Sequence, residues 1–380
     1  MTNVLPGNIR GVQFWAVSYC RSTLGFYEAL AQILGLPFRV CLARGGIGAR
    51  GELGFDEAEF AHLDIIETED EEVAIRALDQ YPDWLQVFGT YQSMPHIRAT
   101  LKAALQQRAA VGIASEAPCN MESPGLRRAA KAAYISHLLP HRVAEVTKHA
   151  QFILNWSGDD AKSLVALGWP REKIIPLGYF PPPLPGTTFR TRDEEPHVAF
   201  RILCSGGLTW HRGPDLLIEA LILLKSWGVS FEATFTGHGP LEMMMQERAK
   251  AAGLPVQFLG RVPMENLITL YETCSVFVAP GRQEPWGIRV NDALNAGAPT
   301  VVSRGMGAVK LVDDYSVGLS FEAGDVTDLA WQLRWLATDR SRYIAICSAL
   351  SNAQAALLPR AAAARAAPHI TTLLEREHAM

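Results

Sequence analysis

Short apolar runs rich in β-branched and aromatic residues alternate along this sequence with longer amphipathic stretches. This alternation is typical of a parallel sheet covered by helices on both faces. In the first half, helical patterns at 26–34, 95–109 and 159–167 separate predicted strands at 12–18, 38–43, 64–67, 85–88, 111–114 and 152–154. We therefore predict a doubly wound α/β domain for the first half.

A proline-rich segment interrupts the alternation near the middle of the chain. Residues 176–185 read PLGYFPPPLP, through which neither a helix nor a central strand persists. The alternation then resumes, with predicted strands at 200–205, 232–236, 256–259 and 276–279 and helices at 214–227, 241–252 and 264–272. We predict two Rossmann-like domains, 1–180 and 181–357, that face each other across a cleft. A C-terminal helix at 358–380 is expected to pack back toward the first domain.

Composition agrees with two folded domains and argues against a nucleic-acid partner. The chain has 380 residues, more than a single hydrophobic core usually supports, and 48% of them are hydrophobic. Its formal net charge of −4 lacks the positive excess typical of proteins that bind nucleic acid. We therefore expect no nucleic-acid partner.

The six cysteines lie far apart, without C-x-x-C or other metal-ligand spacing. Isolated cysteines of this kind are typically small, buried, apolar side chains of a protein in a reducing compartment. No basic and apolar leader precedes Gly11, and no apolar run reaches the roughly 18 residues that a membrane helix needs. We expect a cytoplasmic protein without a metal centre or a membrane span.

The candidate chemistry is concentrated in residues 276–307, which read VFVAPGRQEPWGIRVNDALNAGAPTVVSRGMG. A predicted strand is followed by a loop that carries Glu284, and a helix predicted to begin near Trp286 carries Asp292 about two turns in. Ligands of open parallel sheets bind beyond the carboxyl ends of the strands. Glu284 could accept hydrogen bonds from sugar hydroxyls, and Asp292 could hold a ribose diol. A diphosphate could be bound by the backbone N–H groups at the helix start, those of Trp286, Gly287 and Ile288.

This segment resembles the E-x7-E region of retaining glycosyltransferases with the type B fold, most closely the large family four. The stretch SGGLTWHRGPDLLIEA at 205–220 is similar to the part that supplies a basic residue to the donor diphosphate, which gives that role to Arg212. The turn TGHGPL at 236–241 is similar to the family's glycine-rich turn. FLGRV at 258–262 is similar to the loop that receives the base, so Arg261 and Val262 would flank it. The resemblance extends from about residue 151 to residue 330.

Two positions depart from the family pattern. Members usually carry an arginine and then a lysine around the diphosphate, whereas this sequence has Gly207 and Arg212, so one positive charge is missing. The second carboxylate of the motif is Asp292, which is one methylene shorter than glutamate. Arg21 in the first half is a candidate for restoring the lost charge.

The resemblance implies transfer of a sugar from a UDP-sugar or GDP-sugar to a carbohydrate or lipid-linked acceptor, with retention of configuration. Bacterial polysaccharide or lipopolysaccharide assembly is the usual setting. The sequence has no Asp-x-Asp pair, which holds a metal on the diphosphate in single-domain glycosyltransferases. We therefore expect no metal requirement and no cofactor beyond the nucleotide sugar, with Arg212 and backbone N–H groups stabilising the leaving group. Glu116 is expected either to face the donor sugar as a catalytic group or to bind N–H groups at a helix start.

Residues 123–150 form a basic amphipathic stretch whose cations are opposed by Glu145 alone. These cations are Arg127, Arg128, Lys131, Arg142 and Lys148. Such a segment could contact anionic lipid at the inner face of a membrane and bring a lipid-linked acceptor to the site. An ordinary solvated helix face is the alternative interpretation.

Three other functions fit parts of the sequence. GIGARG at 46–51 matches the G-x-G-x-x-G motif of NAD-dependent oxidoreductases, but it follows the second predicted strand, and Gly54 and Asp56 interrupt the helix it requires. A nucleotide-sugar epimerase would share the type B architecture. A nucleotide-sugar-binding scaffold without turnover would also keep the fold. The departures from the family pattern at Gly207 and Asp292 could reflect such a loss of activity. Transfer or hydrolysis measured with a panel of nucleotide sugars separates these functions.

Overall fold

The computed structural model describes residues 9–43, 57–89, 94–191 and 200–378. The chain divides into two compact units. Unit 1 comprises Met1–Pro118, Ala132–Pro182 and Leu358–Met380, and unit 2 comprises Cys119–Lys131 and Pro183–Leu357. The GIGARG motif at 46–51 lies outside the described residues, so the structure does not bear on it.

Strands and helices alternate along the described chain. The strands are β1 (Val12–Ala16), β2 (Phe38–Leu42), β3 (Ile65–Glu67), β4 (Leu85–Gly89), β5 (Val111–Ser115), β6 (Phe152–Asn155), β7 (Ile174–Pro176), β8 (Phe200–Ser205), β9 (Phe231–Thr236), β10 (Val256–Phe258), β11 (Val276–Ala279), β12 (Thr300–Ser303) and β13 (Gly318–Phe321). The helices are α1 (Arg21–Leu34), α2 (Glu71–Asp79), α3 (Pro95–Gln106), α4 (Leu126–Ala133), α5 (Leu139–His149), α6 (Ala161–Ala166), α7 (Pro214–Ser226), α8 (Glu242–Ala251), α9 (Met264–Thr273), α10 (Arg289–Asn295), α11 (Val309–Tyr315), α12 (Val326–Thr338), α13 (Arg340–Ala353) and α14 (Pro359–His378).

The described part of unit 1 contains a seven-stranded sheet in the order β3-β2-β1-β4-β5-β6-β7, and its strand pairs are parallel. All residues of β1 and β4 are buried. Because neighbouring strand residues point to opposite faces, this burial means that both faces of the sheet are covered. The doubly wound fold predicted for the first half is confirmed.

The described part of unit 2 contains a six-stranded sheet in the order β10-β9-β8-β11-β12-β13, again with parallel pairs. Strand order reverses at β8, because β9 lies on one side of it and β11 on the other. Helices α7 and α12 pack together over one face, and buried leucines at helical spacing form their contact. These leucines are Leu217, Leu221, Leu224, Leu329, Leu333 and Leu336. The second predicted Rossmann-like fold is therefore confirmed as well.

The C-terminal helix α14 belongs to unit 1 and continues through Pro368. It packs against α1 and β6. Its buried face consists largely of alanine, and small side chains allow helices to approach closely. The fully buried alanines are Ala362, Ala363, Ala366 and Ala367.

Three strands were missed by the sequence patterns: β7, β12 and β13. Each has only three or four residues, but length alone does not explain the omission, because β3, β6, β10 and β11 are equally short and were predicted. Strand β7 also ends in Pro176 and lies at the edge of its sheet, where proline is tolerated.

Gly237 at the end of β9 provides a stability test. Its backbone is left-handed, with φ of 97°, and an added Cβ would overlap the carbonyl oxygen of Gly206. Gly237→Ala is expected to lower the free energy of unfolding by about 3 kcal/mol, because both the conformation and the contact are unfavourable for a side chain. Denaturant titration measures this loss.

Gly324 is the matched control, because it is also left-handed, with φ of 85°, but an added Cβ would meet no atom within 4 Å. Gly324→Ala is expected to cost about 1 kcal/mol, the backbone strain alone. Equal losses in the two variants would contradict the steric explanation for Gly237.

Candidate active site

Arg212 lies in a short 3-10 turn, Trp210–Arg212, between β8 and α7. Gly213 ends the turn in a left-handed conformation, with φ of 62°. A Cβ at this position would overlap the carbonyl oxygen of Pro280, which lies in the loop after β11. Glycine therefore allows the loops that follow β8 and β11 to touch each other.

Glu284 lies in the loop after β11, and its main chain is fixed against the loop after β12. The Glu284 N–H donates to the carbonyl of Gly305 at 3.0 Å, and the Glu284 carbonyl accepts from the N–H of Gly307 at 3.3 Å. Glu284 and Met306 thereby form an isolated parallel bridge. The position of the Glu284 side chain is set by these backbone bonds.

The two side chains predicted to be most important chemically are neighbours. Arg212 Nη2 lies 3.6 Å from Glu284 Oε1, with the Arg212 side chain 39% exposed and the Glu284 side chain 18% exposed. The Arg212 guanidinium lies against Gly206, where an added Cβ would stand 2.8 Å from Nη1. Within the described ranges the Arg212 guanidinium donates no hydrogen bond, so its N–H groups are available to a ligand.

This pair lies where a doubly wound sheet binds its ligands. Arg212 follows β8 and Glu284 follows β11, the adjacent strands at which strand order reverses. Ligands of doubly wound sheets bind beyond the carboxyl ends of two such strands. The pair therefore occupies the position in unit 2 at which the fold favours a ligand.

Burial raises the pKa of Glu284 above its ordinary value, and the positive charges of Arg212 and Arg289 oppose this rise. Arg289 is the first residue of α10, and no feature of the motif singled it out. A carboxylate with a raised pKa near two cations is typical of a functional site, although structural ion pairs also perturb pKa values. Glu284 therefore gains its proton at a higher pH than an exposed glutamate does.

The loops of Arg212 and Glu284 are also joined by hydrogen bonds. The carbonyl of His211 accepts from the N–H of Arg282 at 2.8 Å and from the N–H of Gln283 at 3.2 Å. Arg282 Nη1 donates to the carbonyl of Trp210 at 2.9 Å, and its guanidinium binds both carboxylate oxygens of Asp215, at 2.8 and 2.6 Å. Sequence reasoning missed Arg282, because its partners lie some 70 residues away and no local spacing signals them.

The predicted helix start near Trp286 is wrong. Helix α10 begins at Arg289, so Asp292 lies one turn into it rather than two. The helix begins later in the sequence than predicted because Gly287 has a φ of 104°, which is incompatible with a right-handed helix. Gly287 and Ile288 instead form a turn before the helix, and in the described chain their N–H groups have no protein acceptor.

Trp286 and Asp292 are both buried. The Trp286 side chain is 1% exposed, and its Nε1 donates to Oδ1 of Asn291 at 2.8 Å. Asp292 is 8% exposed and its N–H donates to the carbonyl of Ile288 at 3.2 Å. The Trp286 ring thus anchors the base of the loop, and the ribose-binding role of Asp292 stays a prediction.

The remaining predicted donor-binding residues follow neighbouring strands of the same sheet. Gly207 follows β8, and an added Cβ there would have only ordinary contacts, the nearest at 3.8 Å to Arg212 Nη1. Arg261 and Val262 follow β10, Arg261 exposed and Val262 half-buried. The loop after β10 adjoins the end of β9, because the N–H of Gly237 donates to the carbonyl of Gly260 at 2.6 Å. All three therefore lie, like Arg212, beyond the carboxyl ends of the strands.

Glu116 lies in unit 1, directly after β5, and is exposed. The pKa of Tyr179 lies well above its usual value because its phenol is buried and lies close to Glu116, with which it forms a side-chain hydrogen bond. Arg21, considered as a source of the missing charge, is 8% exposed, and its Nε donates to both carboxylate oxygens of Glu59 at 2.8 and 2.6 Å. Its charge is thus already balanced within unit 1.

The described ranges contain no group of three or more His, Cys, Asp and Glu side chains arranged to hold a metal ion. No helix in those ranges is both long enough and apolar enough to span a lipid bilayer. The described cysteines are all free thiols.

Comparison with known proteins identifies a family similar to the second half of the chain. Residues 187–352 match the profile of the family Glycosyl transferases group 1. The amylovoran biosynthesis glycosyltransferase AmsK of Erwinia amylovora is 29% identical over 213 residues, covering 53% of this chain and 48% of AmsK. A GDP-mannose-dependent α-(1-6)-phosphatidylinositol dimannoside mannosyltransferase of Mycobacterium tuberculosis is 29% identical over 187 residues, covering 45% of this chain and 48% of that protein. The aligned region thus spans about half the length of these relatives.

Solved structures resemble almost the whole chain. Alr3699/HepE of Anabaena, crystallised in complex with UDP and glucose, superposes with a TM-score of 0.65 over 95% of this chain and 100% of that one. The sequence identity is 14%, so this likeness shows the fold alone. The fold class is that of type B glycosyltransferases, with a parallel Rossmann-like sheet in each unit. The match of residues 187–352 to the group 1 glycosyl transferase family confirms the predicted resemblance.

Glu284→Gln tests the buried carboxylate. The substitution keeps the size of the side chain but removes its charge, so we expect kcat for sugar transfer to fall about 100-fold. Because burial raises the pKa of Glu284, its carboxylate should gain a proton, and activity should fall, at a higher pH than for an exposed glutamate. A pH profile of kcat/KM measures this acid limb, which should be absent in Glu284→Gln.

Glu219→Gln is the control, because Glu219 lies in α7, partly exposed, and binds Arg248 at 2.7 Å. It should keep both the rate and the acid limb of the parent protein. Near-parental activity of Glu284→Gln, or an unchanged acid limb in it, would refute the assigned role.

Proposed function

We propose that this protein is a glycosyltransferase that moves a hexose from a nucleoside diphosphate sugar to a hydroxyl group of an acceptor. The observation that carries the proposal is the Arg212–Glu284 pair at the strand-order reversal of unit 2, with 3.6 Å between Nη2 and Oε1. A cation and a carboxylate at this position suit a ligand with a phosphate end and a hydroxyl-rich end. The family match of residues 187–352 supports the same activity.

In this proposal Arg212 and the turn at 287–288 bind the diphosphate. Arg212 has unused guanidinium N–H groups, and the N–H groups of Gly287 and Ile288 are also without a protein acceptor in the described chain. Donors placed in advance around a leaving group stabilise the charge that develops on it as its bond to the sugar breaks. Trp286 contributes by anchoring the loop, since its ring is buried beneath the turn.

Glu284 binds the sugar in this proposal, and Arg261, Val262 and Asp292 bind the nucleoside. The Glu284 carboxylate accepts hydrogen bonds from vicinal hydroxyls, and its negative charge stabilises an oxocarbenium-like sugar. The bond from C1 to the phosphate oxygen breaks, and the acceptor oxygen bonds to C1 from the same side. The acceptor proton passes to the departing phosphate. Configuration is retained because the acceptor bonds to C1 on the side from which the phosphate leaves. In this proposal no metal takes part. Glu116 is proposed as an acceptor-orienting carboxylate.

The relatives and the similar solved structures support a class of donor. HepE was crystallised with UDP and glucose, and the mycobacterial relative is named for GDP-mannose. We propose a UDP-hexose or GDP-hexose donor accordingly. The name of AmsK, a biosynthesis glycosyltransferase, supports a setting in bacterial polysaccharide or lipopolysaccharide assembly.

Transfer assays with a panel of UDP-hexoses and GDP-hexoses test this proposal. We expect one donor to be consumed with release of its nucleoside diphosphate, at the same rate in excess chelator as without it. NMR of the product should show the anomeric configuration of the donor. Arg212→Ala should lose about 100-fold in kcat/KM, because the leaving group then lacks its cation.

Other outcomes of the same assay would replace the proposal. Conversion of the donor into an isomeric nucleotide sugar would indicate an epimerase. Tight donor binding without turnover in the presence of varied acceptors would indicate a scaffold. Loss of activity in chelator with recovery on adding a divalent cation would overturn the metal-independent mechanism.

We also propose that the basic segment contacts anionic lipid through its exposed residues. Leu126 is 90% exposed, and the neighbouring Arg127 is exposed as well, whereas Arg128 and Lys131 are half-buried. Flotation with vesicles containing anionic lipid should recover the parent protein. The double variant Leu126→Ser and Arg127→Glu should bind several-fold less, because it removes an apolar anchor and reverses a charge. Equal binding by parent and variant would contradict the contact.

A further inference from the structure

The segment Cys119–Lys131 has an unusual position in the chain. The residues before and after it belong to unit 1, but the segment itself belongs to unit 2. It comprises an irregular stretch around Asn120 and Glu122 and the first turns of α4. Lys131 Nζ lies 3.6 Å from Glu122 Oε1, which closes the segment on itself.

Arg128 of this segment contacts the loops of the candidate site. Its Nη2 donates to Oε1 of Gln283 at 3.0 Å, and its guanidinium carbon lies 5.1 Å from the centre of the Trp210 ring. Its Nη1 donates to the carbonyls of Asn120 at 3.1 Å and Glu122 at 2.8 Å. The Arg128 side chain is therefore held from its own segment while it contacts two other loops.

Both partners of Arg128 are adjacent to residues of the proposed donor site. Trp210 stands two residues before Arg212 in the same 3-10 turn, and Gln283 stands directly before Glu284. The Trp210 ring also has the guanidinium of Arg282 at 5.3 Å from its centre. A displacement of the Arg128 guanidinium would therefore change the support of both loops together.

We propose that Arg128 is a positioning residue for the donor site, an inference that rests on the function proposed above. By binding Gln283 and stacking on Trp210, it sets the separation between the Arg212 guanidinium and the Glu284 carboxylate. The planar guanidinium suits this role because one face packs on an aromatic ring while its edge donates several hydrogen bonds. Arg128 itself touches neither the diphosphate nor the sugar.

Nucleoside diphosphate binding provides the first test. UDP and GDP are titrated into the full-length protein without lipid, and the one that the parent protein binds is used for the variants. Arg128→Ala should weaken its binding about tenfold, because small displacements of a binding group cost large factors. Arg128→Lys keeps the charge but has neither the planar face nor the fork of donors. Its affinity for the nucleotide should therefore exceed that of Arg128→Ala by no more than about threefold.

Arg127→Ala is the matched control, because Arg127 is the same residue type one position away, is exposed and has no hydrogen bond or ion pair in the described chain. It should bind the nucleotide within about twofold of the parent, as surface substitutions usually do. Equal affinity of the Arg128→Ala and Arg127→Ala variants would overturn the proposal. Full recovery in Arg128→Lys would also overturn it, because the charge alone would then suffice.

A double-mutant cycle separates positioning from general damage to the fold. In an Arg212→Ala background, Arg128→Ala should weaken binding by no more than about a further twofold, because the guanidinium that it positions is gone. A tenfold loss in both backgrounds would show that Arg128 acts independently of Arg212 and would overturn the inference.

Gln283→Ala covers the case in which Arg128→Ala does not fold. It removes one end of the bridge and leaves the Trp210 contact, so binding should weaken about threefold. Unchanged binding in Gln283→Ala would count against the bridge. A parent protein that binds neither UDP nor GDP would instead contradict the proposed donor class, which is a distinct failure.

Discussion

The reversal of strand order at β8 is the constraint on which the candidate site of unit 2 depends. Because β9 and β11 lie on opposite sides of β8, the loops after β8 and β11 stand at the point where doubly wound sheets bind their ligands. Arg212 and Glu284 stand on these two loops. Their pairing is therefore a consequence of topology, since the two residues are distant in sequence and come from adjacent strands.

Burying a carboxylate near the sheet edge has an energetic cost, which the surrounding groups offset. Burial raises the pKa of Glu284, so the charged form is disfavoured there, and Arg212 and Arg289 partly restore it. Hydrogen bonds from Arg282 and Gln283 to the carbonyl of His211 keep the two loops together without using the Arg212 guanidinium. The cation is thereby left with donors for a ligand, while the protein backbone holds the geometry.

Close contact between loops also restricts which residues the site can contain. Gly213 meets the carbonyl of Pro280, so a side chain there would displace the turn, whereas a side chain at Gly206 would displace the Arg212 guanidinium. Gly207 differs, because an added Cβ there would have only ordinary contacts. Steric contacts therefore do not explain why position 207 lacks a basic residue. The positive charge for the proposed diphosphate must come from other cations around the site, such as Arg212.

The sequence alone determined the two α/β folds, because apolar runs and amphipathic stretches record local burial directly. Its motifs also singled out Glu284 and Arg212, which lie in short contiguous segments and whose side chains are 3.6 Å apart in the structure. Tertiary structure decided where α10 begins, because Gly287 fits a turn against Met306 that no local pattern reveals. It likewise assigned Cys119–Lys131 to unit 2 and brought Arg128 to Gln283, 155 residues away in sequence. Contacts between residues so far apart leave no periodic signal, because they depend on how whole elements pack rather than on spacing along the chain.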